Sequence, residues 1–248
     1  MTTPPVEHVV FDLGGVVCRW LPDRRLAALA ELSGLPAATI DQAVFESGFD
    51  DAGDRGRFSL DEFAATLGSL LGLAPSADLV GPLGDAWALA YEPHPAVLRA
   101  IRSIGRPVAL LTNNGPLTEH VMGTALPEVG AAFDQLLFSW RLGAAKPEPE
   151  AFAAATAAMG TEPDRVLFFD DSEANVAGAQ AFGWQAAQFH DHARPPSQGR
   201  PPPLRPGATE GPAGPLRSGR ARPAVDQLRR SMIMAMPWPP PTHMVSRP

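Results

Sequence analysis

Apolar residues along the chain follow two different periods, and the change from one to the other divides it. Val9-Val10-Phe11 is a continuous apolar run at the length of a fully buried strand, ended by Asp12 and the turn residues Gly14-Gly15. A helical period then takes over through residues 18–91. Pro22 opens a helix with Leu26, Leu29 and Leu32 on one face and Gly34 at its end, and Pro36 opens another carrying Ile40, Val44 and Phe45. Ser59-Leu60-Asp61-Glu62 is a capping-box pattern, with Phe63, Leu67, Leu70 and Leu71 as the apolar stripe behind it. A fourth helix is predicted from Ser76 to Tyr91. Four helices with no strand between them read as a small bundle inserted after the first strand.

Glu92-Pro93-His94-Pro95 breaks that pattern, and helix then alternates with strand. Strands are expected at 108–111, 135–138, 165–169 and 185–189, with helices at 95–105, 147–160 and 173–183. Such alternation predicts right-handed βαβ units around a parallel sheet. The fold class is therefore α/β, a Rossmann-like three-layer parallel sheet carrying a helical-bundle cap. Its core is built from residues 1–17 and 92–193, and its cap from residues 18–91. Residues 194–248 are of another kind, holding 14 of the chain's 28 prolines with Gly, Arg and Ser and no useful apolar period. The tail is expected to be disordered, since it cannot bury enough surface to offset its ordering entropy. An Arg-rich anion-binding arm, a Pro-rich ligand and a shifted reading frame are its three readings.

Charge follows the same division. The tail carries nine Arg against Glu210 and Asp226, for +7; the chain's net charge of −7 therefore leaves −14 on residues 1–193. A body so acidic repels phosphate backbones, which excludes nucleic acid as an expected partner. No apolar run reaches membrane-spanning length, and Met1 to Pro5 lack both a basic patch and an apolar core, so a cytoplasmic protein is expected. One cysteine, Cys18, allows neither an internal disulfide nor a cysteine zinc cage; a buried apolar role is its plainer reading and a reactive thiol the sharper one. Nineteen of the twenty basic residues are Arg, and Lys146 is the single lysine.

Each predicted strand leaves polar groups at its C-terminal tip, the edge at which open α/β sheets bind ligands. The first leaves Asp12, a metal ligand or nucleophile in one reading and a turn cap in the other. The second leaves Thr112-Asn113-Asn114-Gly115, the third is followed by Lys146, and the fourth leaves Asp170-Asp171. Two adjacent acids near a buried sheet edge need a cation between them and Asp12, and Mg²⁺, with its preference for oxygen ligands, meets that need. Thr112 and Asn113 are then candidates to donate to a phosphoryl oxygen, Asn113 through its backbone or its side chain. Lys146 offsets the phosphate and the carboxylates. Asn175, four residues after Asp171, returns to the same face and can orient the acids or Lys146. Arg19, Trp20 and Phe45 near the mouth are candidates for shaping specificity, with packing or surface the plainer reading of each.

In this order the four fragments resemble the motifs of the haloacid dehalogenase superfamily, in its phosphatase-like branch with a small helical cap. Asp12-Leu13-Gly14-Gly15-Val16 matches the first motif, Thr112 the second, Lys146 the third, and Asp170-Asp171-Ser172-Glu173-Ala174-Asn175 the fourth, over about residues 7–190. The resemblance implies that Asp12 is the nucleophile and forms an aspartyl-phosphate with a small phosphorylated metabolite. It also implies that Mg²⁺ is held by Asp12, the Gly14 carbonyl and Asp171, with Asp170 acting through water.

Gly14 departs from the pattern, because most phosphatases of the family carry there a second Asp that protonates the leaving group. General acid–base help contributes ~10²–10⁴ in rate. Sugar-phosphate phosphatases similar to this chain, with Phe-Asp-Leu-Gly at the first motif, manage without it. A 2-haloacid dehalogenase, whose halide leaving group needs no proton, is the main rival, and a non-catalytic binding protein the second. Paired acids at 170–171 speak against the dehalogenase, since without a metal they would repel both Asp12 and a carboxylate substrate.

Overall fold

The computed structural model describes residues 5–76 and 78–190; the tail expected to be disordered lies outside the described residues. Strands β1 (His8–Phe11), β4 (Val108–Thr112), β5 (Gln135–Phe138), β6 (Val166–Asp170) and β7 (Gln185–Gln188) form one sheet in the order β5-β4-β1-β6-β7, every pair parallel. The alternation of β-branched and aromatic side chains divides its two faces. Val9, Phe11, Leu110, Leu167 and Phe169 pack into one apolar cluster, and Val10, Ala109, Leu111, Val166 and Phe168 into another. The first face is covered by α6 (Pro95–Arg102) and α7 (Pro116–Gly123), and the second by α10 (Pro149–Met159) and α11 (Glu173–Phe182), whose Phe152, Ala155, Met159 and Ala179 complete it. Three layers result, with β1 at the centre of the sheet, paired with β4 on one side and β6 on the other. Each fully buried Phe or Val stabilises this arrangement by roughly 1.5–3 kcal/mol relative to exposure.

Between β1 and α6 run α1 (Pro22–Ser33), α2 (Ala37–Ile40), a wider turn of π-helix at Asp41–Glu46, α3 (Phe49–Asp54), α4 (Leu60–Leu70) and α5 (Val80–Ala88). Gly34 takes the left-handed conformation that ends α1, at φ 73°. The capping box of α4 is complete, with Ser59 accepting from the Glu62 N–H and Glu62 accepting from the Ser59 N–H.

Two expectations about this segment need correction. The helices are bracketed by strands: β2 (Cys18–Trp20) and β3 (Tyr91–Pro93) pair antiparallel, Trp20 opposite Tyr91 and Cys18 opposite Pro93. The fourth helix therefore ends at Ala88 and not at Tyr91, which the ribbon takes. Helix α3 adds to the four predicted from the period; with Gly48 before it at φ 83° and no side-chain cap, it carries no start signal in the sequence. Cys18 is fully buried, and burial pushes its thiol up to about 12, which leaves the apolar packing role. No helix among the described residues is long and apolar enough to cross a membrane.

Candidate active site

Because β4, β1 and β6 are neighbours and parallel, their C-terminal tips bring Thr112, Asp12 and Asp170 to one edge. The N–H of Asp12 donates to the Phe169 carbonyl at 2.9 Å, so the residue that follows β1 is tied to β6. Lys146 arrives from the loop before α10, a fully buried ammonium whose side chain is 1% exposed. Its Nζ donates to Asp12 Oδ1 at 2.7 Å, to Asp170 Oδ2 at 2.7 Å and to the Leu111 carbonyl at 2.8 Å. All three ammonium donors are thus engaged.

Asn113 holds that loop in place. Its Nδ2 donates to the Lys146 carbonyl at 2.7 Å and its Oδ1 accepts from the Lys146 N–H at 2.9 Å. The side-chain amide is therefore committed to Lys146, and the side-chain route to a phosphoryl oxygen is closed by this clamp. Asp170 is held as firmly: Oδ1 accepts from the Ser172 N–H at 2.8 Å, and Asn175 Nδ2 lies 3.1 and 3.0 Å from its two oxygens. Asn175 orients an acid, as one helical turn from Asp171 allows.

Asp12, Asp170 and Asp171 each offer a carboxylate oxygen within 4.8 Å of the others. Three carboxylates around one lysine leave an uncompensated charge. Burial pushes Asp12 up to about 7; Lys146 opposes that rise, and Asp170 and Asp171 add to it. Asp171 is raised as well, by burial and then by Asp170. Lys146 is raised, since Asp12 and Asp170 outweigh its burial. An oxygen-seeking divalent cation fits this set, with the exposed Asp171 and the partly exposed Asp12 open to it and Asp170 turned to its own protein partners.

The two adjacent glycines of the first motif differ. Gly15 has φ +84°, and a Cβ there would lie 2.2 Å from Asp171 Oδ2, so only glycine lets the turn approach that carboxylate. Gly14 lies outside the left-handed region, and a Cβ there would meet only the Trp20 side chain, at 3.8–3.9 Å. The bridge joining this turn to Cys18 uses the Leu13 carbonyl and the Gly15 N–H, not the carbonyl of Gly14.

Above the edge a polar hub centred on Asn114 joins the core to the inserted segment, and the motifs carry no sign of it. Asn114 Nδ2 donates to Thr112 Oγ1 at 2.6 Å, while its Oδ1 accepts from Tyr91 Oη at 2.5 Å and Thr118 Oγ1 at 3.0 Å. Ser139 Oγ accepts from the Asn114 N–H and donates to the Asp54 carbonyl. At the end of α3, Arg55 pairs with Glu148 through Nη2 at 2.9 Å and Nη1 at 3.3 Å. Of the specificity candidates, Trp20 faces position 14, Phe45 stacks on Trp87, and Arg19 pairs with Glu92 at the surface.

The model of the haloacid dehalogenase-like hydrolases matches residues 6–183. A phosphatase of Mycobacterium tuberculosis is 31% identical over 73% of this chain and 86% of its own, and a D-ribitol-5-phosphate phosphatase of Bacteroides thetaiotaomicron 28% over 74% and 91%. An (S)-2-haloacid dehalogenase of Pseudomonas putida is 31% identical over 46% of this chain and 51% of its own. Among solved structures, a haloacid dehalogenase-family enzyme of Bacteroides thetaiotaomicron, in complex with magnesium and inorganic phosphate, superposes with a TM-score of 0.60 at 23% identity, over 74% of this chain and 93% of its own.

Proposed function

The chain belongs to the haloacid dehalogenase-like hydrolases, and from that premise we propose that it is an Mg²⁺-dependent phosphomonoester hydrolase with Asp12 as nucleophile. The observation that carries this reading is the charge of the strand-tip edge: three carboxylates within 4.8 Å of one another, one lysine among them, and Asp12 pushed up to about 7. A metal-free dehalogenase would have to bring a carboxylate substrate into that excess. Asp12, the Gly14 carbonyl and Asp171 would hold Mg²⁺, with Asp170 acting on it through water, and the ion would supply positive charge to offset the phosphoryl oxygens.

Lys146 occupies Asp12 Oδ1, which leaves Oδ2 to attack phosphorus. The bond from phosphorus to the ester oxygen breaks, an aspartyl-phosphate forms on Asp12, and the leaving alkoxide takes its proton from water or from the substrate, since position 14 has no acid. Water then attacks phosphorus and the bond to Asp12 breaks, releasing phosphate and restoring the carboxylate. The Thr112 hydroxyl and the Asn113 backbone N–H donate to the phosphoryl oxygens, Thr112 being oriented by the amide of Asn114. Lys146 acts as a fixed charge beside Asp12. The substrate is a phosphomonoester of a small metabolite, and similarity to an enzyme named for D-ribitol 5-phosphate favours a sugar or polyol phosphate.

The test is product release with and without metal. Phosphate release from a generic ester is expected to require Mg²⁺, to fall to background in EDTA and to return when Mg²⁺ is restored. Halide release from 2-chloropropionate that ignores EDTA would establish the dehalogenase instead, and silence on both substrates the non-catalytic reading.

Position 14 allows a sharper experiment. Its φ and the 3.8 Å contact with Trp20 leave room for a side chain, so Gly14→Asp is expected to fold. It should raise kcat on alkyl and sugar phosphates by about 10²-fold, the lower end of general-acid help, and least on aryl phosphates, whose leaving groups need little protonation. Equal loss on both classes in a folded protein would show that position 14 is no vacated acid–base site.

A further inference from the structure

The turn that ends α3 brings the inserted segment against three loops of the site. After β4, a Cβ on Gly115 would lie 3.2 Å from the Gly53 backbone carbon, so the loop beyond Thr112 rests on the last turn of α3. After β5, the Ser139 hydroxyl accepts from the Asn114 N–H at 3.0 Å and donates to the Asp54 carbonyl at 2.7 Å. Gly56, at φ +78°, closes on that same loop, where a Cβ would lie 2.3 Å from the Trp140 carbonyl oxygen; any larger residue would hold the turn off the core. Before α10 comes the third contact, from Arg55 to Glu148 at 2.9 and 3.3 Å.

This third contact bears on Lys146. Glu148 closes the loop around the lysine: its N–H donates to the Ala145 carbonyl at 2.9 Å, and its Oε2 accepts from the Ala145 N–H at 3.4 Å. The carboxylate is held in turn by Arg55, and Arg55 by Asp51, one helical turn back, through Nε at 3.2 Å. All three guanidinium nitrogens donate to carboxylates of the chain, so the group is committed to the protein and not to a substrate. Lys146 is thus held from two sides, its backbone by Asn113 of the core and its loop by Arg55 of the insertion. The side chains of the Arg55 and Glu148 pair are 26% and 32% exposed, a setting in which an ion pair adds little stability. What it fixes is position.

We infer that Arg55 is a positioning residue for Lys146. From the end of α3 it fixes Glu148, and through Glu148 the loop that presents the ammonium to Asp12 Oδ1 and Asp170 Oδ2, each 2.7 Å away. Small displacements matter there, because the ammonium serves two acids and a carbonyl and has no donor to spare. The inserted segment then takes part in the reaction without touching the reacting atoms. The inference rests on the phosphatase reading, because its consequence is read in turnover at that site.

Steady-state kinetics on p-nitrophenyl phosphate in Mg²⁺ test this, with Tm measured beside them. Arg55→Met and Glu148→Gln are each expected to lower kcat by about 10-fold or more while KM stays within about twofold, the pattern of a misplaced charge and not of a lost substrate contact. Tm should move by no more than about 4 °C, as for a half-exposed pair. Arg55→Lys should recover part of kcat, because an ammonium keeps the charge without the paired bonds. In the Lys146→Met protein, adding Arg55→Met should change the residual kcat by less than about twofold, since the group it positions is gone. Unchanged kcat in Arg55→Met, a rise in KM alone, or the full loss repeated in the Lys146→Met background would each overturn the positioning role and leave the phosphatase reading standing. No phosphate release by the wild-type protein would overturn that reading and the positioning role with it.

Discussion

Asp12→Asn is expected to abolish phosphate release, by about 10⁴-fold or more, the scale of losing a nucleophile from a site whose other parts remain. The amide is isosteric with the carboxylate and can still accept from Lys146 Nζ, now 2.7 Å from Asp12 Oδ1, so geometry is kept while nucleophilicity is lost. Stability should not fall. Burial and the neighbouring acids already push the Asp12 carboxyl up to about 7, so its surroundings disfavour the charge that the substitution removes. In EDTA the variant is therefore expected to melt no lower than the wild type, and to gain less from added Mg²⁺ because one of the three carboxylates is gone. Thermal melts with and without Mg²⁺, run beside the phosphate assay, check both parts. A variant that keeps turnover would remove Asp12 from the chemistry.

Lys146→Met is expected to reduce turnover by about 10² or more, the effect of deleting one preorganised charge. The packing around it adds a second consequence. Lys146 is the shared donor to Asp12, Asp170 and the Leu111 carbonyl, and its side chain is 1% exposed, so the change strands two carboxylates and a buried carbonyl. Breaking a buried pair in this way costs about 3–5 kcal/mol. The variant should therefore melt well below the wild type in EDTA and recover part of that loss in Mg²⁺, which measurement of Tm against metal concentration would show. Full activity in the variant would make the chain's single lysine an accident of composition.

Much of this site was legible because a parallel sheet collects its strand tips. Val9 to Phe11, Val108 to Leu111 and Val166 to Phe169 are apolar runs too short to be helices, and each ends on the residue that reaches the common edge: Asp12, Thr112 and Asp170. Order along the chain was enough to bring these together with Lys146, and the family match at residues 6–183 spans the same motifs. What the pattern hid depends on contacts distant in sequence. Strands β2 and β3 have three residues each, too few to show a period, and exist through pairing across the whole helical insertion. Asn114 looks like any loop amide until Tyr91 and Thr118 close on it. Nothing in the run Asp50-Asp51-Ala52-Gly53-Asp54-Arg55 says that its last residue pairs with Glu148, 93 positions on. Nor can a Gly-Gly pair say which member is required; the approach of Asp171 assigns that to Gly15.

The central claim is that phosphorus becomes bonded to Asp12 during turnover, and rapid acid quenching tests it most directly. The enzyme would be mixed with a phosphomonoester radiolabelled at phosphorus, in Mg²⁺ and separately in EDTA, then quenched and digested. The expected result is label on the peptide that carries Asp12 in Mg²⁺, decaying with turnover, and none in EDTA or in Asp12→Asn. Phosphate release without label on that peptide, or an alkyl ester on Asp12 formed from 2-chloropropionate in EDTA, would contradict it.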